Sequence, residues 1–583
     1  MNFRLSCSLA GAALAFAIPA LLPSSAQACG GTMCDTGPTA MPVDQTGENI
    51  LFHLTDTSVE AHIQIQYDPD TEAEKFAWVI PVTAIPEFEV GSDLLFRAML
   101  AGSVPRYANQ VTQDFCGDGG DEFGGDEGGA TGAGDDGGGE GEGPGNGGPD
   151  VVLEQSVGAY EIAVLDGGTV EGVMQWLGDN GYQQDPAAEP LLAQYLEDEF
   201  LFVALKLNTS AGVDEIHPIV IRYEGYEPCV PIRLTAIAAA ENMDIRTFFL
   251  GDARVVPVNY RHVLVNPLKI DWFNLADNYK EVITMAVDAP GADGNAFVTE
   301  YAGPSNVVNT GGVYSPDWDP AAYLALTDTP VGVIDILEQQ NLIFCDTEWD
   351  NVCTAFHPLL QPILDQFVPV PEGIDPVAFY DCMECYAEDV DLAAWDAAGF
   401  SEMFDERIVK PGFNAATLVD ENPYLTRMYT TISPAEMVAD PIFRANATLP
   451  EVQNLRTSTQ TLHCDGSTTM TLPDGREILF PAGAALEWPD FQTEMPWVED
   501  VDQESMAENA PLISIADNTE QIDELLASWN SEQEEENAAA NEGGDAGTNA
   551  GCACSVDEGK GAGGIGLGLA LLGLAGFVRR RRR

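Results

Sequence analysis

The sequence predicts an α+β protein, rich in β-structure early and mixed α and β later, with one long segment that does not fold. Three observations predict it. Val59, Ala61, Ile63, Ile65 and Tyr67 alternate with Glu60, His62, Gln64 and Gln66, the period of a half-buried strand that favours antiparallel pairing. Strand-like runs and helical segments are mixed after residue 157. Between them, Gly117–Asp150 holds 17 glycines and 10 acidic residues in 34 positions, with Phe123 its single aromatic. Such a segment cannot bury enough surface to order itself and reads as a disordered insertion.

Taken in order, Leu51-Phe52 and Phe76–Val82 are expected to supply strands beside the alternating one, and Asp93–Leu100 a short helix. Beyond the insertion, strands are expected at Val157–Leu165, Phe200–Leu207, Ile216–Tyr223, Val230–Leu234, Ile245–Leu250 and Ala296–Tyr301. Helices are expected at Val170–Leu177, Glu189–Leu196, Asn278–Val287 and Val333–Gln339. Pro473-Asp474-Gly475 joins Thr468–Leu472 to Ile478–Pro481 as a hairpin. Glu520–Trp529 reads as a last helix before an acidic, Ala/Asn/Gly-rich flexible stalk at 531–551.

The two ends carry targeting signals. Arg4, the apolar run Leu9–Leu22 and the small residues Ser24–Ala28 form a secretory signal peptide, with cleavage expected between Ala28 and Cys29. At the other end Gly561–Val578 is uncharged and five arginines follow, Arg579–Arg583. Its 18 residues span about 27 Å as a helix, barely enough for a transmembrane segment, with the arginines expected on the cytoplasmic side. The expected organisation is therefore 1–28 signal, 29–116 first part of the body, 117–150 insertion, and 151–530 the remainder, with a possible subdomain boundary near 265. The stalk and the segment 552–583 follow.

The formal charge of −70 comes from 94 acidic against 24 basic residues. Nucleic-acid binding is disfavoured, because phosphate recognition needs Lys and Arg to displace counterions. Nine cysteines lie in the body, and an exported chain makes disulfides the default. Near neighbours suggest Cys29 with Cys34, Cys345 with Cys353, and Cys382 with Cys385. Spacing does not fix connectivity, and the odd count leaves one thiol over, for which Cys464 is the candidate.

Two resemblances follow from particular stretches. Cys552-Ala553-Cys554, a Gly-rich spacer, the apolar run and the arginine cluster resemble the myxobacterial C-terminal sorting signal, MYXO-CTERM. That resemblance implies cutting by a membrane protease near Cys552 and Cys554 and a lipid-bearing cysteine at the cell surface. The body is similar to the exported bacterial family designated domain of unknown function 2330. The similarity rests on Cys29-Gly30-Gly31, AHIQIQY (61–67), FAWVIPV (76–82), WLGDNGY (176–182), FVALKL (202–207), PIRLTAIAA (231–239) and YLTRMYTTISPAEM (424–437). It implies no activity.

Residues that carry common chemistries are sparse. The sequence has no Gly-x-Ser-x-Gly elbow, His-Glu-x-x-His pair or phosphate-cradling Gly-x-x-x-x-Gly-Lys loop, and its six histidines form no i, i+4 pair. Cys382-Met383-Glu384-Cys385 has redox spacing but lacks the strand before and helix after that lower a thiol's pKa, which favours structural cysteines. His463-Cys464 is weighed as a catalytic pair against simple adjacency. Glu436 and Asp440 are weighed as a carboxylate pair against a capping box begun by Ser433. Arg427 is expected to pair with a carboxylate. No cofactor or metal site is expected. Expected partners are the export machinery, signal peptidase, the sorting protease and, through the tail, the membrane. The reading that results is a surface-displayed, non-catalytic binding or structural protein with an unknown external ligand. The alternative is an exported hydrolase-like enzyme whose site is assembled from separated residues.

Overall fold

A computed structural model describes residues 45–543 except 56, 68–76, 115–148, 183–185, 208–214, 226–227, 238, 347–351, 486, 492–493, 506 and 508. The alternating segment forms the strand Ser58–Tyr67, antiparallel to Gln45–Leu54 on one side and to Ile219–Glu224 on the other. Thr55 begins the hairpin turn: its Oγ1 accepts from the Ser58 amide at 2.9 Å. Val59, Ala61 and Ile63 are buried on the apolar face. The polar face is covered too, which alternation alone does not reveal. His62 is buried, its Nε2 lies 2.7 Å from Glu60, and Arg222 Nε donates to the same carboxylate at 2.6 Å. Burial alone would raise the Glu60 pKa, but His62 and Arg222 together hold it down at about 2.

These strands belong to a ten-stranded sheet. Its order is Ile513–Asp517, Val498–Gln503, Arg261–Val265, Ala296–Pro304, Tyr424–Ile432, Ala239–Gly251, Gln45–Leu54, Ser58–Tyr67, Ile219–Glu224 and Glu87–Val90. The pairing is mixed rather than purely antiparallel. Gln45–Leu54 runs parallel to Ala239–Gly251, and Arg261–Val265 parallel to Ala296–Pro304. Strands from both sides of residue 265 share this sheet, so a subdomain boundary there would cut it.

Ala77–Val82, expected beside the alternating strand, lies instead at the edge of a second, four-stranded sheet with Leu201–Leu207, Tyr160–Asp166 and Asp150–Val157. The two sheets pack face to face. Ile50, Phe52, Ala61 and Ile63 share one core with Trp78, Ile80, Ile162, Val164 and Val203. The opposite side chains of the small sheet, Val79, Leu165, Phe202 and Ala204, bury against the helices Val170–Asp179 and Glu189–Glu197. On the far side of the large sheet, Leu51, Phe248, Leu250 and Leu425 meet the helices Asp93–Ser103 and Lys410–Glu421. The architecture here is helix, sheet, sheet, helix.

Other expectations shift for identifiable reasons. Strand structure resumes at Asp150, before Val157, because Asp150–Val157 and Tyr160–Asp166 form a tight hairpin. Residues 230–234, expected as a strand, instead contain the start of a short helix, Ile232–Thr235, after Pro231. The helix Val333–Gln339 and the hairpin of Thr468–Thr471 with Glu477–Phe480 stand where expected, and Gly475 adopts φ +90° in the turn. The last helix does not stop at Trp529 but runs Thr519–Gly543 into the segment read as a flexible stalk. It has a reason to continue. Asn530 and Asn537 accept from the amides of Leu479 and Ala482 at 2.9 and 3.0 Å, along and just past the unpaired edge strand Glu477–Phe480. No described helix is long and apolar enough to cross a membrane, and the uncharged tail segment lies outside the described residues.

Near the middle of the large sheet, register shifts between Thr299 and Tyr301 against Tyr424–Ile432, which makes Glu300 the extra residue of a β-bulge. The bulge aims Glu300 at Arg427. Arg427 Nε donates to Glu300 Oε2, Tyr279 OH donates to Glu300 Oε1 at 2.8 Å, and the guanidinium also reaches the Leu100 carbonyl at 3.3 Å. Both charged side chains are under 5 % exposed.

Removing one member of this pair leaves an uncompensated buried charge. Glu300→Gln should lower unfolding free energy by about 3 kcal/mol, whereas Lys206→Ala, which breaks a half-exposed pair with Glu161, should cost under about 1 kcal/mol. Urea denaturation of both variants checks the difference.

Acid should destabilise the fold through its buried histidines. Burial holds His217 at about 4 and His262 and His357 at about 3. The unfolded chain therefore takes up protons below pH 6.5 that the folded chain refuses, at about 1.4 kcal/mol per pH unit for each histidine. Above pH 6.5 the three contribute nothing. Asp500, raised to about 6 by burial and by Asp517 across the strand pair, works in the opposite sense and offsets about one of them. Stability measured against pH should fall between pH 6 and 5 with a slope of about two protons, and Asp500→Asn should steepen that slope by about one.

Candidate functional site

The helix Val170–Asp179 begins where Thr169 Oγ1 accepts from the Gly172 amide at 3.1 Å. It ends at Asn180 and Gly181, and Gly181 at φ +90° turns the chain back so that the Tyr182 amide donates to the Leu177 carbonyl at 2.8 Å. That reversal lays Tyr182 beside Trp176, with ring centroids 6.0 Å apart and planes tilted by 32°. Beneath them, Glu161 and Lys206 are direct cross-strand partners in the small sheet and form an ion pair at 3.3 Å. These residues, with Gln155 and Asn180, line a cleft of about 390 Å³.

Tyr182 distinguishes this cleft from an ordinary surface groove. The residue is 2 % exposed, and its hydroxyl, which makes no hydrogen bond to the described residues, is open to the cleft rather than sealed from solvent. Burial, and then the charge of Glu161, push its pKa well up, so the hydroxyl keeps its proton. Asn180 Nδ2 donates to the Trp176 carbonyl at 2.8 Å, which orients its amide oxygen as an available acceptor.

The residues singled out in the sequence lie elsewhere. Ala28, Cys29, Cys34, Cys552 and Cys554 fall outside the described residues. Cys345 and Cys353 are disulfide-bonded across a short hairpin, and Cys382 is bonded to Cys385 behind the helix Pro376–Asp381. Cys464 is also in a disulfide, which corrects its reading as the odd thiol and removes it from any catalytic pair with His463. Cys229 is the half-buried thiol among the described cysteines. His463 is held between Asp114 at 2.8 Å and Thr469 at 2.7 Å.

Glu436 does close a capping box with Ser433, but on a single 3-10 turn. Asp440 turns away from it and accepts from Tyr195 OH at 2.8 Å and Arg233 Nε at 2.8 Å. Arg427 pairs with a carboxylate as expected. Among the described residues no group of three or more His, Cys, Asp or Glu could hold a metal ion.

Sequence reasoning missed the cleft as a site, although it quoted the stretches that build it. WLGDNGY supplies Trp176, Asn180 and Tyr182, and FVALKL supplies Lys206. The available signals were the helix-ending glycine at 181 and the single charge that interrupts an otherwise apolar strand.

No curated protein and no solved structure matches the chain. Residues 23–320 match the family described as an uncharacterized protein conserved in bacteria, DUF2330. The matched region contains all four strands of the small sheet, the helix Val170–Asp179 and the whole cleft, while the stretch at 424–437 lies beyond it. By the extent of that match, just over half its length, the chain belongs to the DUF2330 family.

Proposed function

We propose that this DUF2330 protein is an exported, envelope-held binding protein that retains a ligand without chemical turnover in the Trp176–Tyr182 cleft. The observation that carries this reading is the Trp176–Tyr182 aromatic pair set over the Glu161–Lys206 ion pair in one cleft, with the Tyr182 hydroxyl open to that cleft. The aromatic pair supplies contact area, and the Asn180 amide and the Glu161–Lys206 pair supply polar definition, the usual composition of a small-ligand site.

Export is supported by the signal-peptide pattern ending at Ala28 and by disulfides such as Cys345–Cys353 and Cys382–Cys385, which suit an oxidising compartment. In this reading signal peptidase frees Cys29, and a membrane protease processes the tail near Cys552 and Cys554, leaving a lipid-bearing cysteine at the surface. Glu154 and Glu161 both line the cleft and give the hydrolase alternative its specific residues.

Two experiments test these statements. Cys552→Ala with Cys554→Ala should reduce surface labelling several-fold, and intact-mass analysis of the natural protein should show loss of the five terminal arginines. Undiminished display together with retained arginines would show a plain membrane anchor. Incubation of the purified protein with glycan, peptide and ester libraries should yield retention without turnover. Turnover lost in Glu161→Gln would establish the hydrolase instead.

A further inference from the structure

Building on the reading of the cleft as a binding site, we infer that its ligand is a neutral saccharide of one or two rings, seated against Trp176 and hydrogen-bonded by the Tyr182 hydroxyl. The polar inventory of the walls points there. Tyr182 OH and the Trp176 indole N–H are donors without a protein acceptor among the described residues, and Asn180 Oδ1 is an acceptor held in place by its own amide. A ligand that satisfies all three must both donate and accept over a short distance, and each sugar hydroxyl does both.

Charge narrows the class. Glu161 and Lys206 already neutralise each other at 3.3 Å, so the floor of the cleft asks for no ionic partner. An anion would meet Glu154 and the field of a chain with net charge −70. A cation would have to displace Lys206 from Glu161. The half-buried Trp176 ring offers the flat apolar surface on which the C–H face of a pyranose packs. The volume of about 390 Å³ lies at the small end of ligand sites and leaves room for one or two rings.

The test titrates the full-length protein with neutral disaccharides built from glucose, galactose, mannose and N-acetylglucosamine, following heat and ligand-detected NMR. Parallel arms use glucuronic acid, glucosamine and a set of tripeptides. At least one neutral sugar should bind with a dissociation constant of roughly micromolar to millimolar. Tyr182→Phe should weaken binding by about fivefold to tenfold, and Trp176→Ala by at least about tenfold. Both variants should keep the parent's melting temperature to within a few degrees. If Trp176→Ala does not fold, Tyr182→Phe, which removes one oxygen, decides the matter alone. Tighter binding of a charged sugar or a peptide, lost in the same variants, would overturn the saccharide assignment and leave the cleft as a binding site. Saccharide binding that ignores both substitutions would overturn the assignment of the ligand to this cleft. No binding in any arm up to about 10 mM would sink both readings.

Discussion

The ion pair of Arg427 with Glu300 is the constraint around which the large sheet is arranged. A strand buried on both faces has no place for a carboxylate unless its partner arrives with it. The bulge at Glu300 solves the geometry by adding one residue to Ala296–Pro304, so that the charge is turned towards Arg427 while its neighbours keep their ladder positions. The pair then draws in other elements. Tyr279 comes from the helix Tyr279–Val287, and the Leu100 carbonyl from the helix Asp93–Ser103, which packs across the sheet. Residues far apart in sequence are thereby fixed to one point.

The same economy governs the other cations. In a chain with so few, Arg222, Arg233, Arg407, Arg444 and Arg476 each hold at least one carboxylate. Arg407 projects from a π-helical turn at Asp405–Val409, placed just ahead of Pro411, whose missing N–H interrupts the regular ladder. From there it reaches Glu215 at 2.6 Å and the Gly158 carbonyl at 3.2 Å. These five arginines thus join separate elements of the fold through carboxylates.

Local pattern made the individual elements legible, but not their partners. The alternation at 59–67, the capping box begun by Ser433 and the Pro-Asp-Gly turn at 473–475 each act over a few residues, and sequence reports such things well. The parallel pairing of Gln45–Leu54 with Ala239–Gly251, and the transfer of Ala77–Val82 to another sheet, depend on contacts across more than a hundred residues. No local period encodes them. The cleft was illegible for the same reason: Glu161 and Lys206 meet only by strand register, and Tyr182 joins them only because Gly181 reverses the chain. The stalk as far as 543 was misread because the apolar period fades after Trp529, while the asparagines that hold the helix act through backbone amides of a distant strand.

That helix has a mechanical consequence. Thr519–Gly543 extends about 37 Å along its axis. It is fastened to the body by Ile522 and Leu526 in the core and by Asn530 and Asn537 along the hairpin edge. If the chain beyond it is tethered to an envelope, tension enters at its C-terminal end. Depending on direction, the load either slides the helix along the hairpin, straining all four attachments together, or lifts it off, breaking Asn537 first and Asn530 next. A body held this way resists drag along the helix axis far better than a pull away from the hairpin.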